Sequence, residues 1–190
     1  MTRWLLELNN QPLFTRRQAW ATALAWSAGF VQAAQPVSAL TGLRLPVVRS
    51  AQIKLASSPW AGAQQLGADD FRGQWVYLDF WASWCAPCRQ SFPWMNTLHE
   101  RFGPRGLQIV AVSLDKTAER MTAFLNVTQP HFWILWDAPS VWAEKLQISS
   151  MPSSVLIRPD GQMGGWHRGY TQEGARKVEA QLQQWLPERA

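Results

Sequence analysis

The chain has 190 residues, enough for one globular domain with a hydrophobic core and an additional terminal segment. Hydrophobic residues make up 47% of the chain and charged residues 16%, a balance typical of a globular domain. The net charge of +5 is mild, and no basic run is interleaved with aromatic residues, so the composition argues against nucleic-acid binding.

Residues 1–33 are predicted to be a secretory signal peptide, because residues 15–35 have the layout of one. Arg16 and Arg17 give a basic start, an apolar run follows over residues 19–31, and Ala33 is a small residue at a possible cleavage point. The run is shorter than the roughly 20 apolar residues that cross a bilayer, so we expect no stable membrane span. The two arginines leave a twin-arginine export route open beside the general secretory route. A buried amphipathic helix is the alternative interpretation of the segment.

The next segment is predicted to be a linker over residues 34–50, and the folded domain is predicted over residues 51–190. Prolines and glycines interrupt any regular pattern as far as Gln74. One strand is predicted within this region, over residues 52–55. The N-terminal part of the domain is therefore expected to be an extended lead-in to a regular core.

A buried strand followed by an amphipathic helix is predicted at the centre of the chain. The strand covers residues 75–80, and the helix covers residues 87–102 with four apolar side chains on one face: Phe92, Met95, Leu98 and Phe102. Between them lies the segment WASWCAPCR, which contains Cys85 and Cys88, the only cysteines of the chain.

The spacing of Cys85 and Cys88 predicts a redox-active disulfide. Two thiols separated by Ala86 and Pro87 can close a small disulfide ring with little backbone change, and the proline stiffens the turn. At the helix N-terminus, unpaired N–H groups and the helix dipole stabilise a thiolate, so we expect Cys85 to be the exposed nucleophile and Cys88 the resolving thiol. A zinc site is a weaker interpretation, because the three histidines lack ligand spacing from the pair.

Alternating strands and helices are predicted beyond residue 106. Asp115 ends the first of these strands and is expected to cap the helix that follows. The order predicts an α/β fold with right-handed parallel connections. The elements are strand 107–114, helix 117–126, strand 131–136, helix 140–146, strand 154–158, a tight turn, a strand ending near residue 167, and helix 171–186.

The segment DFWASWCAPCR, residues 79–89, resembles the active-site signature of the thioredoxin superfamily, and most closely that of its TlpA-like periplasmic branch. The order of elements agrees from about residue 50 onward. The resemblance implies a thioredoxin fold, in which helices flank a central mixed sheet. It also implies an N-terminal extension and an inserted helix and strand over residues 117–136. Ala86 stands where thioredoxin itself has glycine, at a position that tunes the redox potential in this superfamily.

The resemblance also implies roles for individual residues. Cys85 and Cys88 would be the catalytic pair, and Asp79 would relay a proton to and from Cys88. A carboxylate inside an apolar strand is costly unless it is neutral, hydrogen-bonded or functional; a purely structural Asp79 is the alternative. Met151-Pro152 resembles the cis-proline segment that faces the cysteines in thioredoxin folds. The implied substrate-binding residues are Trp84, Ala86, Pro87, Met151 and Pro152.

The resemblance implies that the protein is a monomeric thiol-disulfide oxidoreductase of the periplasm, without cofactor or metal. It would reduce selected envelope protein disulfides, as in cytochrome c or oxidase assembly, with a membrane thiol reductase as its electron donor. The Ala86-Pro87 dipeptide favours a reductase, since strong oxidants carry a histidine there. Two alternatives remain: a dithiol oxidase, and a module in which the dithiol delivers Cu(I) with Met151 nearby.

Overall fold

The computed structural model describes residues 37–48 and 59–186. The predicted signal peptide and the strand predicted over residues 52–55 lie outside the described residues. None of the helices in the described part of the chain is long and apolar enough to cross a membrane.

A two-stranded antiparallel pair precedes the central sheet. It is formed by β1 (Arg44–Pro46) and β2 (Gln65–Gly67), and it occupies the predicted N-terminal extension. Val37 and Leu40 are buried against the same apolar cluster as the sheet. Residues 37–48, part of the linker predicted from the sequence, therefore pack as part of the folded domain, because their apolar side chains are removed from water there.

The central sheet contains five of the described strands, in the order β5-β4-β3-β6-β7. The pairs β3–β4 and β4–β5 are parallel, whereas β3–β6 and β6–β7 are antiparallel, so the sheet is mixed as predicted. The predicted ends of these strands agree with the structure to within two residues, apart from the N-terminal end of β7, which was not predicted. The bounds are β3 (Trp75–Trp81), β4 (Leu107–Ser113), β5 (Trp133–Trp136), β6 (Ser153–Ile157) and β7 (Met163–Arg168).

Helices cover both faces of the sheet in the described residues. Buried side chains of α1, α2 and α4 share one apolar cluster, whereas α3 packs in the cluster on the opposite face. The inserted unit predicted over residues 117–136 is present as α2 and β5, with β5 at one edge of the sheet. The helices are α1 (Ala86–Phe102), α2 (Ala118–Thr128), α3 (Val141–Lys145) and α4 (Gln172–Trp185).

Strand β3 presents its side chains alternately to the two faces of the sheet. Tyr77 and Trp81 lie in the cluster that contains α1, whereas Leu78 and Phe80 lie in the cluster on the other face. Asp79 stands between Tyr77 and Trp81 in this alternation. Its side chain is therefore directed toward α1, the helix that carries the two cysteines.

The predicted apolar face of α1 is confirmed. Its four residues are each at most 1% exposed, because α1 lies across the sheet with this face inward. The residues are Phe92, Met95, Leu98 and Phe102.

Candidate active site

The two cysteines lie where β3 ends and α1 begins. Cys85 is the N-cap residue of α1 and is joined to Cys88 by a disulfide, with the two Cα atoms 5.3 Å apart. The Cys88 N–H donates a hydrogen bond to Cys85 Sγ over 3.3 Å. Pro87 lies in the first helical turn, where its missing N–H costs no intrahelical hydrogen bond. The helix N-terminus thus directs a backbone donor at the sulfur of Cys85.

Exposure differs sharply along this segment. Cys85 is 5% exposed and Cys88 is fully buried, whereas Trp84 is 65% exposed. Ala86 and Pro87 are also exposed. The prediction of an exposed Cys85 therefore holds only relative to Cys88, since in the disulfide form the Cys85 sulfur is bonded toward the interior. Cys85 is therefore more accessible to a partner sulfur than Cys88 is.

The Met151-Pro152 segment precedes β6 at the end of the sheet where β3 stops, since Ser153 is paired with Phe80. The peptide bond between these two residues is cis, Pro152 is buried, and Met151 packs against the apolar cluster that contains both cysteines. The Ser153 hydroxyl donates to the Ser150 carbonyl over 2.7 Å, and the Gly169 N–H donates to the Pro152 carbonyl over 2.7 Å. These bonds fix the segment at the start of β6.

Asp79 is buried on the α1 side of the sheet, with 1% exposure. Its Oδ1 accepts a hydrogen bond from the Ser154 hydroxyl over 3.0 Å, and its Oδ2 has no partner among the described residues. Burial raises the pKa of Asp79 to about 7, although the Ser154 hydrogen bond acts to lower it. Asp79 can therefore gain and lose a proton near neutral pH, a property that a general acid or base requires.

Asp115 is the polar residue of the site that sequence reasoning placed wrongly. Its carboxylate accepts from the Ser83 N–H (2.9 Å) and the Ser83 hydroxyl (2.7 Å), as well as from the Ser113 hydroxyl (3.0 Å). It does not cap α2, whose N-cap residue is Thr117. Parallel strands β3 and β4 end at the same edge of the sheet, so a carboxylate that follows β4 reaches the loop after β3. The sequence signal that could have placed Asp115 in the site was its position directly after a strand that was predicted to be parallel.

We predict that Asp115→Ala lowers the free energy of unfolding by roughly 2–4 kcal/mol, because it leaves the buried Ser113 donor and the partly buried Ser83 donors unpaired. The loop that carries Trp84 should also loosen, so reduced Cys85 should react faster with an alkylating agent. Chemical denaturation and stopped-flow alkylation measure the two effects.

Asp137→Ala is the matched control for this substitution. The fully buried Asp137 accepts three backbone N–H groups at the start of α3, those of Val141, Trp142 and Ala143. Loss of the Asp137 carboxylate should lower the free energy of unfolding by a similar amount, but it should not change the loop that contains Ser83. Equal alkylation rates in the two variants would restrict Asp115 to a general structural role.

Ser154 and Tyr77 are further polar residues near the site that the sequence did not single out. Ser154 is paired with Asp79 across β3 and β6, and the Tyr77 hydroxyl donates to Ser154 Oγ over 2.7 Å. The contact joins residues 77 positions apart. Only the register of the two strands predicts it, and a single sequence does not give that register.

Sequence comparisons connect this arrangement with known proteins. The model of the AhpC/TSA family matches residues 51–164, more than half of the chain. A 100-residue stretch is 28% identical to the thiol-disulfide oxidoreductase ResA of Bacillus subtilis and covers 53% of this chain and 56% of that protein. The ResA of Oceanobacillus iheyensis is 34% identical over 94 residues, which are 50% of this chain and 49% of that protein. The chain thus spans about half the length of the curated relatives it matches.

Solved structures resemble the described fold. A protein from Chlorobium tepidum described as the thiol:disulfide interchange protein DsbE superposes with a TM-score of 0.65 and 32% identity, covering 75% of this chain and 92% of its own. StoA from Bacillus subtilis, with a TM-score of 0.53 and 21% identity over 61% of this chain and 87% of its own, shares the fold. The predicted thioredoxin fold is confirmed, and the chain belongs to the thioredoxin-like AhpC/TSA family.

Proposed function

We propose that the protein is a thiol-disulfide oxidoreductase that reduces selected protein disulfides outside the cytoplasm. The observation that carries this proposal is the Cys85–Cys88 disulfide at the N-terminus of α1, with the more accessible sulfur beside an exposed Trp84. The names of the relatives, thiol-disulfide oxidoreductase and thiol:disulfide interchange protein, support the same reaction class.

The reaction proceeds in two exchange steps from the dithiol form. The Cys85 thiolate attacks one sulfur of a disulfide in the substrate protein, the client, and forms a mixed disulfide with it. The other client sulfur leaves as a thiolate, which takes up a proton. Asp79 then accepts the Cys88 proton, and the Cys88 thiolate attacks Cys85 Sγ and releases the second client thiolate. Two electrons pass to the client, and the protein is left with the disulfide that the structure contains.

The residues around Cys85 would bind the client protein. Trp84, Ala86 and Pro87 are exposed beside it and would contact the client chain. The backbone of Met151, held by the cis bond to Pro152, would pair with the client in the manner of a short strand. This arrangement would contact the backbone of the client chain more than its side chains. The protein would therefore bind several related client disulfides.

The proposal also includes where the protein acts and which proteins it acts with. The order of a basic pair, an apolar run and Ala33 supports export to the periplasm, by the general secretory or the twin-arginine route. The clients would be envelope proteins such as those of cytochrome c or oxidase assembly. A membrane thiol reductase would return electrons to the Cys85–Cys88 disulfide, and the protein would act as a monomer.

We predict that the pair is a low-potential reductant, because Ala86-Pro87 places no histidine beside the Cys85 thiolate to stabilise the reduced form. We expect the membrane thiol reductase to hold the pair as the dithiol in the living cell. Rapid acid quenching followed by alkylation should find mainly reduced protein. The equilibrium potential should be closer to the value of about −270 mV for thioredoxin than to that of about −120 mV for DsbA. A pair found mainly as the disulfide, with a potential near the latter value, would reverse the assignment to an oxidase.

A second candidate function is Cu(I) delivery. The observation that favours it is Met151, which packs against the cluster that contains both cysteines. Soft thiolate and thioether ligands select Cu(I). Native mass spectrometry of the reduced protein with Cu(I) tests it. One tightly held copper that is lost in Met151→Leu would support delivery, whereas no bound copper in a protein active in thiol exchange would exclude it.

A further inference from the structure

Three buried polar groups form an unbroken hydrogen-bonded chain behind the dithiol. Tyr77 Oη lies 2.7 Å from Ser154 Oγ, which lies 3.0 Å from Asp79 Oδ1. Tyr77 and Ser154 are each 3% exposed and Asp79 is 1% exposed. An ionised carboxylate can only accept, so Ser154 donates its single proton to Asp79, and the Tyr77 hydroxyl must donate to Ser154.

The strand register places these groups on one face of the sheet. Asp79 in β3 is opposite Ser154 in β6, and Ser154 is opposite His167 in β7. Opposed residues on neighbouring strands present their side chains to the same face. Tyr77 precedes Asp79 by two positions and shares that face, so its ring lies alongside the Asp79–Ser154 row.

A cavity of about 230 Å³ is lined in part by Tyr77, the last residue of the hydroxyl chain. Tyr77 is part of its wall, together with Trp94 and His167, and the exposed residues Arg168 and Thr171 lie at its rim. One water molecule takes up about 30 Å³ in the liquid, so the cavity is large enough for several. The cavity can therefore hold water beside the Tyr77 side chain.

Asp79 needs a connection with water, because it must exchange a proton in every catalytic cycle. Its Oδ2 has no partner among the described residues, and Cys88 beyond it is fully buried. Ser154 is the side chain that the described structure shows hydrogen-bonded to the carboxylate.

We propose that Ser154 and Tyr77 form a hydroxyl relay that carries protons between Asp79 and the cavity lined by Tyr77 and His167. This inference rests on the proposed function, in which Asp79 accepts the Cys88 proton. When Asp79 is protonated, its O–H donates to Ser154 Oγ, and the Ser154 and Tyr77 hydroxyls rotate so that each donates toward the cavity. Asp79 then passes its proton to Ser154 Oγ. Ser154 passes its own proton to Tyr77 Oη, and Tyr77 passes its own to water in the cavity. Each hydroxyl gains one proton and loses one, so only the carboxyl group and the cavity water change charge.

The test compares the steady-state kcat and KM of disulfide reduction in Tyr77→Phe, Ser154→Ala and Ser154→Thr. Loss of either hydroxyl should lower kcat about tenfold and leave KM unchanged. This loss is smaller than the roughly 100-fold or more expected for a direct acid–base group, because slower proton exchange between Asp79 and water remains. Ser154→Thr keeps the hydroxyl and should restore kcat. The solvent deuterium isotope effect on kcat should change in Tyr77→Phe, an effect that a packing defect does not produce.

Tyr170→Phe is the matched control. Tyr170 is the other tyrosine of the chain and also lines the cavity, where its ring lies 5.7 Å from that of Trp94. We expect wild-type kcat for this variant, and an equal loss in it would overturn the relay by tracing the effect to the cavity wall.

A double variant separates the relay from the proposed role of Asp79. Tyr77→Phe in an Asp79→Asn background should add no further loss, because the relay acts only through Asp79. Wild-type kcat in Tyr77→Phe, with a slow Asp79→Asn, would reject the relay and leave the role of Asp79 intact. Wild-type kcat in Asp79→Asn itself would reject both, whereas an unmodified protein without exchange activity would reject the proposed function.

Discussion

Replacement of Cys85 by alanine is expected to lower the rate of disulfide exchange by roughly a thousandfold or more, since it removes the nucleophile of the first step. Cys88 cannot substitute for it, because Cys88 is fully buried. Reduction of a model disulfide, followed spectroscopically, measures the loss.

The Cys88→Ala variant should behave in the opposite way. Cys85 still attacks the client, but no second thiol resolves the mixed disulfide, so covalent complexes accumulate and can be identified by mass spectrometry. The Cys85→Ala/Cys88→Ala variant gives the background for this trap. Complexes that form through Cys88 in Cys85→Ala would reverse the assignment of nucleophile and resolving thiol.

The local part of this site could be predicted from sequence because its determinants are close together in the chain. The two cysteines, the buried strand before them and the apolar face of α1 all lie within residues 75–102 and follow simple periodicities. The resemblance of residues 79–89 added the fold, and the neighbours of β3 in the sheet, β4 and β6, then follow from that fold.

The contacts that sequence reasoning missed are long-range. Ser83 meets Asp115 across 32 positions, because β3 and β4 run parallel and end together. Asp115 was predicted to cap a helix, since an aspartate before a helical pattern usually does. The buried packing of Val37 and Leu40 was missed for a related reason: their apolar partners lie in strands far along the chain.

Asp79→Asn is expected to lower kcat about 100-fold at pH 7, because an amide cannot accept the Cys88 proton. The wild-type rate of the Cys88 step should rise as Asp79 ionises near pH 7, in line with the pKa of about 7. Asp79→Asn should lack this rise. Quenched-flow measurement of mixed-disulfide decay between pH 5 and 9, pH values chosen for the assay, checks both expectations. Unchanged decay in the variant would make Asp79 structural.

Stability gives an independent measure of the same carboxyl group. Burial raises the pKa of Asp79 in the folded, oxidised protein from 3.8 to about 7, so the folded state binds the proton more tightly than the unfolded state does. The free energy of unfolding must then fall as pH rises from about 4 to about 7, by up to roughly 4 kcal/mol. Asp79→Asn removes this ionisation, so the oxidised variant should match the wild type near pH 4 and exceed it at pH 8.

Asp69→Asn provides a control of opposite sign for this experiment. The Gly42 N–H and the Arg72 side chain hold the pKa of Asp69 below its ordinary value, so its ionised form stabilises the fold above pH 4. The Asp69→Asn variant should therefore be less stable than the wild type at pH 8, where Asp79→Asn is more stable. Urea unfolding of the three oxidised proteins at pH 4 and pH 8 decides the matter. Equal stability of Asp79→Asn and wild type at pH 8 would mean that the Asp79 carboxylate is ionised at no cost, and it would remove the basis for Asp79 as a proton acceptor near neutral pH.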